Sequence, residues 1–172
     1  YADTNIEISD SADVTARAAN ISSYPALYGA TGISISASKV TTESGGDAGI
    51  FSPVAVTIED GSDVTAIGYW PAIRGNTSVS ISGSSVDAAS TEDVAIFSPA
   101  AVSITNSVVD ASGKTGADGI KSNGTAIVSG SWVSTSGSEN FGTDITNSVL
   151  INGTAGKVIG NATIPNNVTL PE

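Results

Sequence analysis

Isoleucine returns in this chain at a fixed interval. Ile35, Ile58, Ile81 and Ile104 follow one another at 23-residue steps; Ile8 precedes them in the same column, and Val128 and Ile151 follow. A repeat of 20–50 residues marks a solenoid or an array, because each copy buries its apolar face only against its neighbours. The stretch Val79–Ile96 states one full unit. A second apolar column lies two residues before the first: Ile6, Ile33, Val56, Val79, Val102, Ala126 and Val149. A third follows as Val14, Val40, Val64, Val86, Val109 and Val133. Two residues beyond it the position is always small: Ala16, Thr42, Ala66, Ala88, Ala111 and Thr135. Leu27, Ile50, Ile73, Ile96, Ile120 and Ile145 close the unit. The step from Ile8 to Ile35 is longer, 27 residues, which places an insertion in Asn20–Ala30.

Apolar residues two apart mean strand, because successive side chains of a strand point to opposite faces. Val-x-Ile, Val-x-Ala and Ile-x-Ser are therefore three short strands per unit, and no segment sustains a helical spacing. Three strands and three turns in about 23 residues make one coil of a parallel β-helix, with equivalent residues stacked about 4.8 Å apart. The expected fold is all-β: a single-stranded, right-handed parallel β-helix of about seven coils, forming one domain over residues 1–172. Residues 146–172 drift from the pattern, and Pro165 and Pro171 interrupt ladder hydrogen bonding. They read as a C-terminal cap or the start of a linker.

Composition narrows the chemistry. The net charge is −11, against nucleic acid and anionic membrane surfaces, and no stretch is apolar and long enough to span a bilayer. With no histidine and no cysteine, the usual bases and thiol nucleophiles are missing. Only Arg17 and Arg74 could serve as arginine bases, and no carboxylate pair stands out from its repeat equivalents, so the chain is not expected to be an enzyme. The recurrent Ser38, Ser62, Ser84, Ser107 and Ser131 read as corner residues whose hydroxyls satisfy turn backbone, since a catalytic serine is not needed in every coil.

The residue after each closing isoleucine should point outward. These residues are Tyr28, Phe51, Arg74, Phe97, Lys121 and Thr146. Aromatic faces suit the C–H surfaces of sugars, and cations suit the carboxylates of acidic ones; the same ladder could instead hold the solenoid together by stacking and cation–π contacts. Tyr69 and Trp70 share a turn with Pro71, and Tyr24-Pro25 fall in an equivalent turn. Such a pair could be a sugar platform, a partner contact or a lid on the local core. Asp47, Asp93 and Asp118 lie near the closing strand and are candidate oxygen ligands for Ca²⁺, although solvated turn carboxylates are the commoner outcome. Asp87 and Asp110 stack in adjacent coils. A flat ice-binding face would need an unbroken threonine row, and Asp87 and Asp110 interrupt the one begun by Thr15, Thr41 and Thr65.

The units Asp118–Gly124 with Ala126–Gly130, and Ala48–Pro53 with Val54–Gly61, resemble coils of the right-handed β-helical carbohydrate-binding domains of bacterial cell-surface proteins, over about five coils. The resemblance implies a β-helix that binds plant-cell-wall polysaccharides, acidic ones included, with Ca²⁺ held in acidic Gly-Asp-Asp-Gly-Ile turns. Ala117–Ile120 keeps one carboxylate of that turn, and Asp47–Ile50 keeps another displaced by one. The tail at residues 165–172 is similar to linkers of large surface adhesins.

The combined expectation is a non-catalytic module of a secreted or cell-surface bacterial protein that binds polysaccharide or another cell-surface ligand, or mediates adhesion. Its ligand would lie on Tyr28, Phe51, Arg74, Phe97, Lys121, Tyr69 and Trp70. No cofactor is required, Ca²⁺ is an optional one, and no nucleic acid or membrane insertion is involved. Adjacent domains of the same chain are the other expected partners. A structural stalk or spacer is the alternative, and a polysaccharide lyase-like enzyme the third reading.

Overall fold

The computed structural model describes the backbone of residues 1–19, 23–115, 117–136, 138–140, 144–146 and 149–152, and side chains as far as residue 135. Residues 20–22 of the expected insertion and 153–172 of the expected cap lie outside the described residues. Strands fall in a repeating order of three and assemble into three parallel sheets. Sheet 1 contains Ile6–Ile8, Ile33–Ser36, Ala55–Glu59, Ser78–Ser82, Ala101–Thr105, Thr125–Ser129 and Asp144–Thr146. Sheet 2 contains Asp13–Ala18, Lys39–Ser44, Asp63–Gly68, Ser85–Ser90, Val108–Ser112, Trp132–Ser136 and Val149–Asn152. Sheet 3 contains Leu27–Tyr28, Ile50–Ser52, Ile73–Gly75, Ile96–Ser98, Asp118–Ser122 and Ser138–Asn140. The fold is thus a parallel β-solenoid. Five turns have all three strands described with their side chains, fewer than the seven coils expected, and the backbone strands beyond them continue the stack.

The register is the one the 23-residue step demands. Ile35 pairs with Ile58, Ile58 with Ile81, Ile81 with Ile104, and Ile104 with Val128. The valine column of sheet 2 and the closing isoleucines of sheet 3 stack in the same way. Ile35, Ile50, Ile58, Ile73, Ile81, Ile96 and Ile104 are completely buried, so the core is a narrow column of β-branched side chains. β-branched residues suit such a column because their rotamers are restricted already and pack on a pleated surface.

Serine closes the corner between sheets 1 and 2 as the spacing predicts. Ser38, Ser62, Ser84, Ser107 and Ser131 are all buried. Their hydroxyls donate to carbonyls of their own turns: Ser38 to Ser36, Ser62 to Glu59, Ser84 to Ser82, Ser107 to Thr105 and Ser131 to Ser129, at 2.6–2.9 Å. Each also accepts from the turn before. The amide N–H of Ser62 donates to Ser84 Oγ at 3.2 Å, that of Ser84 to Ser107 Oγ at 3.2 Å, and that of Ser107 to Ser131 Oγ at 3.1 Å. The hydroxyl column therefore runs parallel to the apolar one and satisfies corner amides that the ladders leave over.

The last turn corrects the expected periodicity. Val128 pairs with Ile145, 17 residues on, and Thr146 pairs with Ser129 in sheet 1. Ile145 is therefore not a closing residue of sheet 3, and Thr146 does not extend the outward stripe. Val149 and Ile151 belong to sheet 2, where Leu150 shares the register position of Val133. The cause is a short connection. Ser138–Asn140 follows Trp132–Ser136 after one residue, whereas Ser90 and Ile96 are separated by five.

Candidate functional site

Sheet 3 displays the outward stripe in register. Tyr28 pairs with Phe51, Phe51 with Arg74, Arg74 with Phe97, and Phe97 with Lys121. Each is half-buried, flanked by a buried closing residue on one side and, from Phe51 onward, by a buried serine or glycine on the other. The side chains pile on one another along the solenoid axis. Tyr1 stacks on Tyr28 with ring centroids 4.4 Å apart, and Tyr28 meets Phe51 at 5.6 Å. The Arg74 guanidinium lies between two phenyl rings, 5.3 Å from the centroid of Phe51 and 5.6 Å from that of Phe97. Arg74 Nε donates to Asn76 Oδ1 at 2.9 Å, which fixes the fork. Phe51 and Phe97 thus spend ring faces on Arg74, and the stacking contacts considered from the sequence are present.

Beside the stripe, the turns from sheet 2 to sheet 3 stack into a wall. The Tyr69 amide donates to the Asp47 carbonyl at 3.0 Å, the Glu92 amide to the Tyr69 carbonyl at 3.1 Å, and the Lys114 amide to the Asp93 carbonyl at 3.0 Å. Two buried serines hold alternate turns in one conformation. Ser44 Oγ donates to the Tyr24 carbonyl and accepts from the Asp47 amide; Ser90 Oγ donates to the Trp70 carbonyl and accepts from the Asp93 amide. Between them, Gly68 pairs with Ser90, and a Cβ there would come within 2.9 Å of the Trp70 and Pro71 carbonyls. The aromatic turn folds back over this glycine because it carries no side chain.

Wall and stripe enclose a cleft of about 430 Å³ lined by Asp47, Phe51, Trp70, Pro71, Arg74 and Asp93 together with Ala48. Trp70 is 50% exposed and meets Tyr69 edge-on at 5.9 Å, so the pair does not fold into the core. Asp47 is oriented by its neighbour, with Oδ1 accepting from the Ala48 amide at 2.7 Å. The cleft offers an apolar ring, a fixed guanidinium and two acceptor carboxylates. The structure therefore brings together Phe51, Arg74 and Trp70, places Phe97 and Tyr69 next to them, and sets Tyr28 and Lys121 further along the axis.

Asp47, Asp93 and Asp118 do not converge as a ligand set. Asp47 and Asp93 are two turns apart, about 9.6 Å along the axis, and Asp118 lies in a strand of sheet 3. Among the described residues no three acidic side chains come together within reach of one cation, and Ca²⁺ takes six to eight oxygens.

One signal was in the chain and is easy to overlook. Tyr24-Pro25-Ala26-Leu27-Tyr28-Gly29 matches Trp70-Pro71-Ala72-Ile73-Arg74-Gly75, and Ile50-Phe51-Ser52-Pro53 matches Ile96-Phe97-Ser98-Pro99, each at 46 residues. Ser44 and Ser90, and Asp47 and Asp93, keep the same interval. The surface thus repeats every two turns, while the core repeats every turn. The Tyr24-Pro25 turn is two turns from Trp70-Pro71. No protein-family model matches the chain, and no match is found among curated proteins or solved structures.

Proposed function

We propose that this chain is a non-catalytic module of a secreted or cell-surface bacterial protein, and that it binds a polysaccharide along the outer edge of sheet 3. The cleft carries the reading. An exposed tryptophan, a guanidinium fixed by Asn76 and two rings, and acceptor carboxylates on either side are the groups that recognise a sugar's apolar face and hydroxyls. The resemblance of the repeat units to β-helical carbohydrate-binding domains supports the same reading. Affinity gel electrophoresis through a panel of soluble polysaccharides tests it, with Trp70→Ala beside the wild type. Retardation of the wild type that is lost in Trp70→Ala is expected; equal mobility of both in every gel would remove the proposal.

A spacer role is favoured by a separate observation. The guanidinium between Phe51 and Phe97 fastens three consecutive turns without any ligand. On that reading Arg74→Ala lowers the melting temperature and no polysaccharide retards the chain.

A further inference from the structure

The surface beside sheet 3 alternates along the axis with a period of two turns. The Tyr24-Pro25 turn is followed by Gly46-Asp47, then Trp70-Pro71, then Glu92-Asp93. The hydrogen bonds show that these positions are structurally equivalent and not merely similar in sequence. Ser44 Oγ donates to Tyr24 as Ser90 Oγ does to Trp70, and Asp47 and Asp93 sit at the same place in the alternate turns. Tyr24 is 66% exposed and Trp70 50%. Two aromatic positions thus stand about 9.6 Å apart along the axis with an acidic turn between them.

A polymer that matches this face must present the same surface once for every two turns. An extended β-1,4-linked polysaccharide does so, because successive residues along its two-fold screw are inverted and every second sugar offers the same ring face. Charge selects further. Asp47 and Asp93 line the cleft against the single cation Arg74, whose faces are already covered by two phenyl rings, and the chain carries −11 overall. A polyuronate would bring like charge to this surface, whereas carboxylates accept hydrogen bonds well from neutral hydroxyls.

We infer that the ligand is a neutral, extended β-1,4-linked polysaccharide lying parallel to the solenoid axis, with alternate sugars on Tyr24 and Trp70 and the intervening hydroxyls on Asp47. This inference rests on the polysaccharide reading above and narrows its ligand to a class unlike the acidic polymers that the family resemblance admits.

Isothermal titration calorimetry tests it with β-1,4-linked gluco- and manno-oligosaccharides from disaccharide to hexasaccharide, α-1,4-linked maltohexaose, and oligogalacturonate of matching length. The β-linked neutral series should bind, with affinity rising steeply between disaccharide and tetrasaccharide as the second platform is reached. Tyr24→Ala and Trp70→Ala should each weaken hexasaccharide binding about tenfold, the loss typical of an anchoring aromatic. Tyr24→Phe and Trp70→Phe, which keep a ring, should retain most of the affinity and guard against a folding artefact. Preference for oligogalacturonate or maltohexaose, affinity independent of length, or a hexasaccharide affinity unchanged by Tyr24→Ala would overturn the inference while leaving a polysaccharide-binding module standing. Failure of every oligosaccharide to bind would overturn the inference, and with equal mobility in every gel of the polysaccharide panel it would overturn both.

Discussion

Ala37 occupies the left-handed region at φ 47°, where its corner equivalents include Gly83 at 55°, Asn106 at 49° and Gly130 at 59°. A side chain there crowds its own carbonyl, at about 1–2 kcal/mol for an ordinary L-residue. Ala37→Gly is therefore expected to raise unfolding stability by about 1 kcal/mol, less the extra freedom it gives the unfolded chain, as read from urea denaturation. On the outer face of sheet 2, Asp110 pairs in register with Asp87. Desolvation by its neighbours holds the Asp110 carboxyl above its ordinary value; the facing Asp87 adds to this, and a hydrogen bond with Ser134 opposes it. Because the folded chain then holds its proton to higher pH than the unfolded chain does, stability falls as pH rises through the window above the ordinary carboxylate pKa. Asp110→Asn should raise the melting temperature at pH 7 by about 1–2 °C, for a screened like-charge pair on the order of 0.5 kcal/mol. The gain should vanish near pH 3, and a gain independent of pH would contradict this account. The Asp87–Asp110 stack was legible from the spacing. The strain at Ala37 was not, since one alanine in a chain rich in alanine carries no mark of its backbone angle.

At the scale of the element, the corner serines were legible because the same residue stands in every turn, and only a shared backbone need explains that. Ser84→Ala should cost about 1–2 kcal/mol, because it leaves the buried Ser62 amide with only its 3.3 Å bond to the Glu59 carbonyl and takes the hydroxyl donor from the Ser82 carbonyl. Ser80→Ala, on the outer face of the strand Ser78–Ser82 that precedes this corner, should stay within about 0.5 kcal/mol, by urea denaturation of both. Equal costs would contradict the ladder. The final turn was not legible for a physical reason. Val-x-Ile alternation specifies a strand with one inward face, but sheets 1 and 2 both demand that pattern, so the pattern alone cannot say which sheet receives Val149–Asn152. The length of the preceding connection decides, and it puts Leu150, rather than Val149 or Ile151, at the register position of Val133.

Across the whole molecule, two periods coexist. The apolar columns of the interior recur once per turn, every 23 residues; the surface carries a pattern twice as long, and Tyr24-Pro25 and Trp70-Pro71 declare it. The stripe in sheet 3 was legible through its register, but not that Arg74 would occupy the faces of Phe51 and Phe97, because spacing says where a side chain starts and not what covers it. The cleft draws residues from three successive turns, so it exists only if those turns are stacked in the stated register. The direct test is a set of spin-label distances by double electron–electron resonance, from Ser34 to Ser80, Ser103 and Ile127, which sit two, three and four turns away on the outer face of sheet 1. The stack predicts separations that lengthen by an equal step of about 4.8 Å from one site to the next; separations that fail to grow in that order would contradict it.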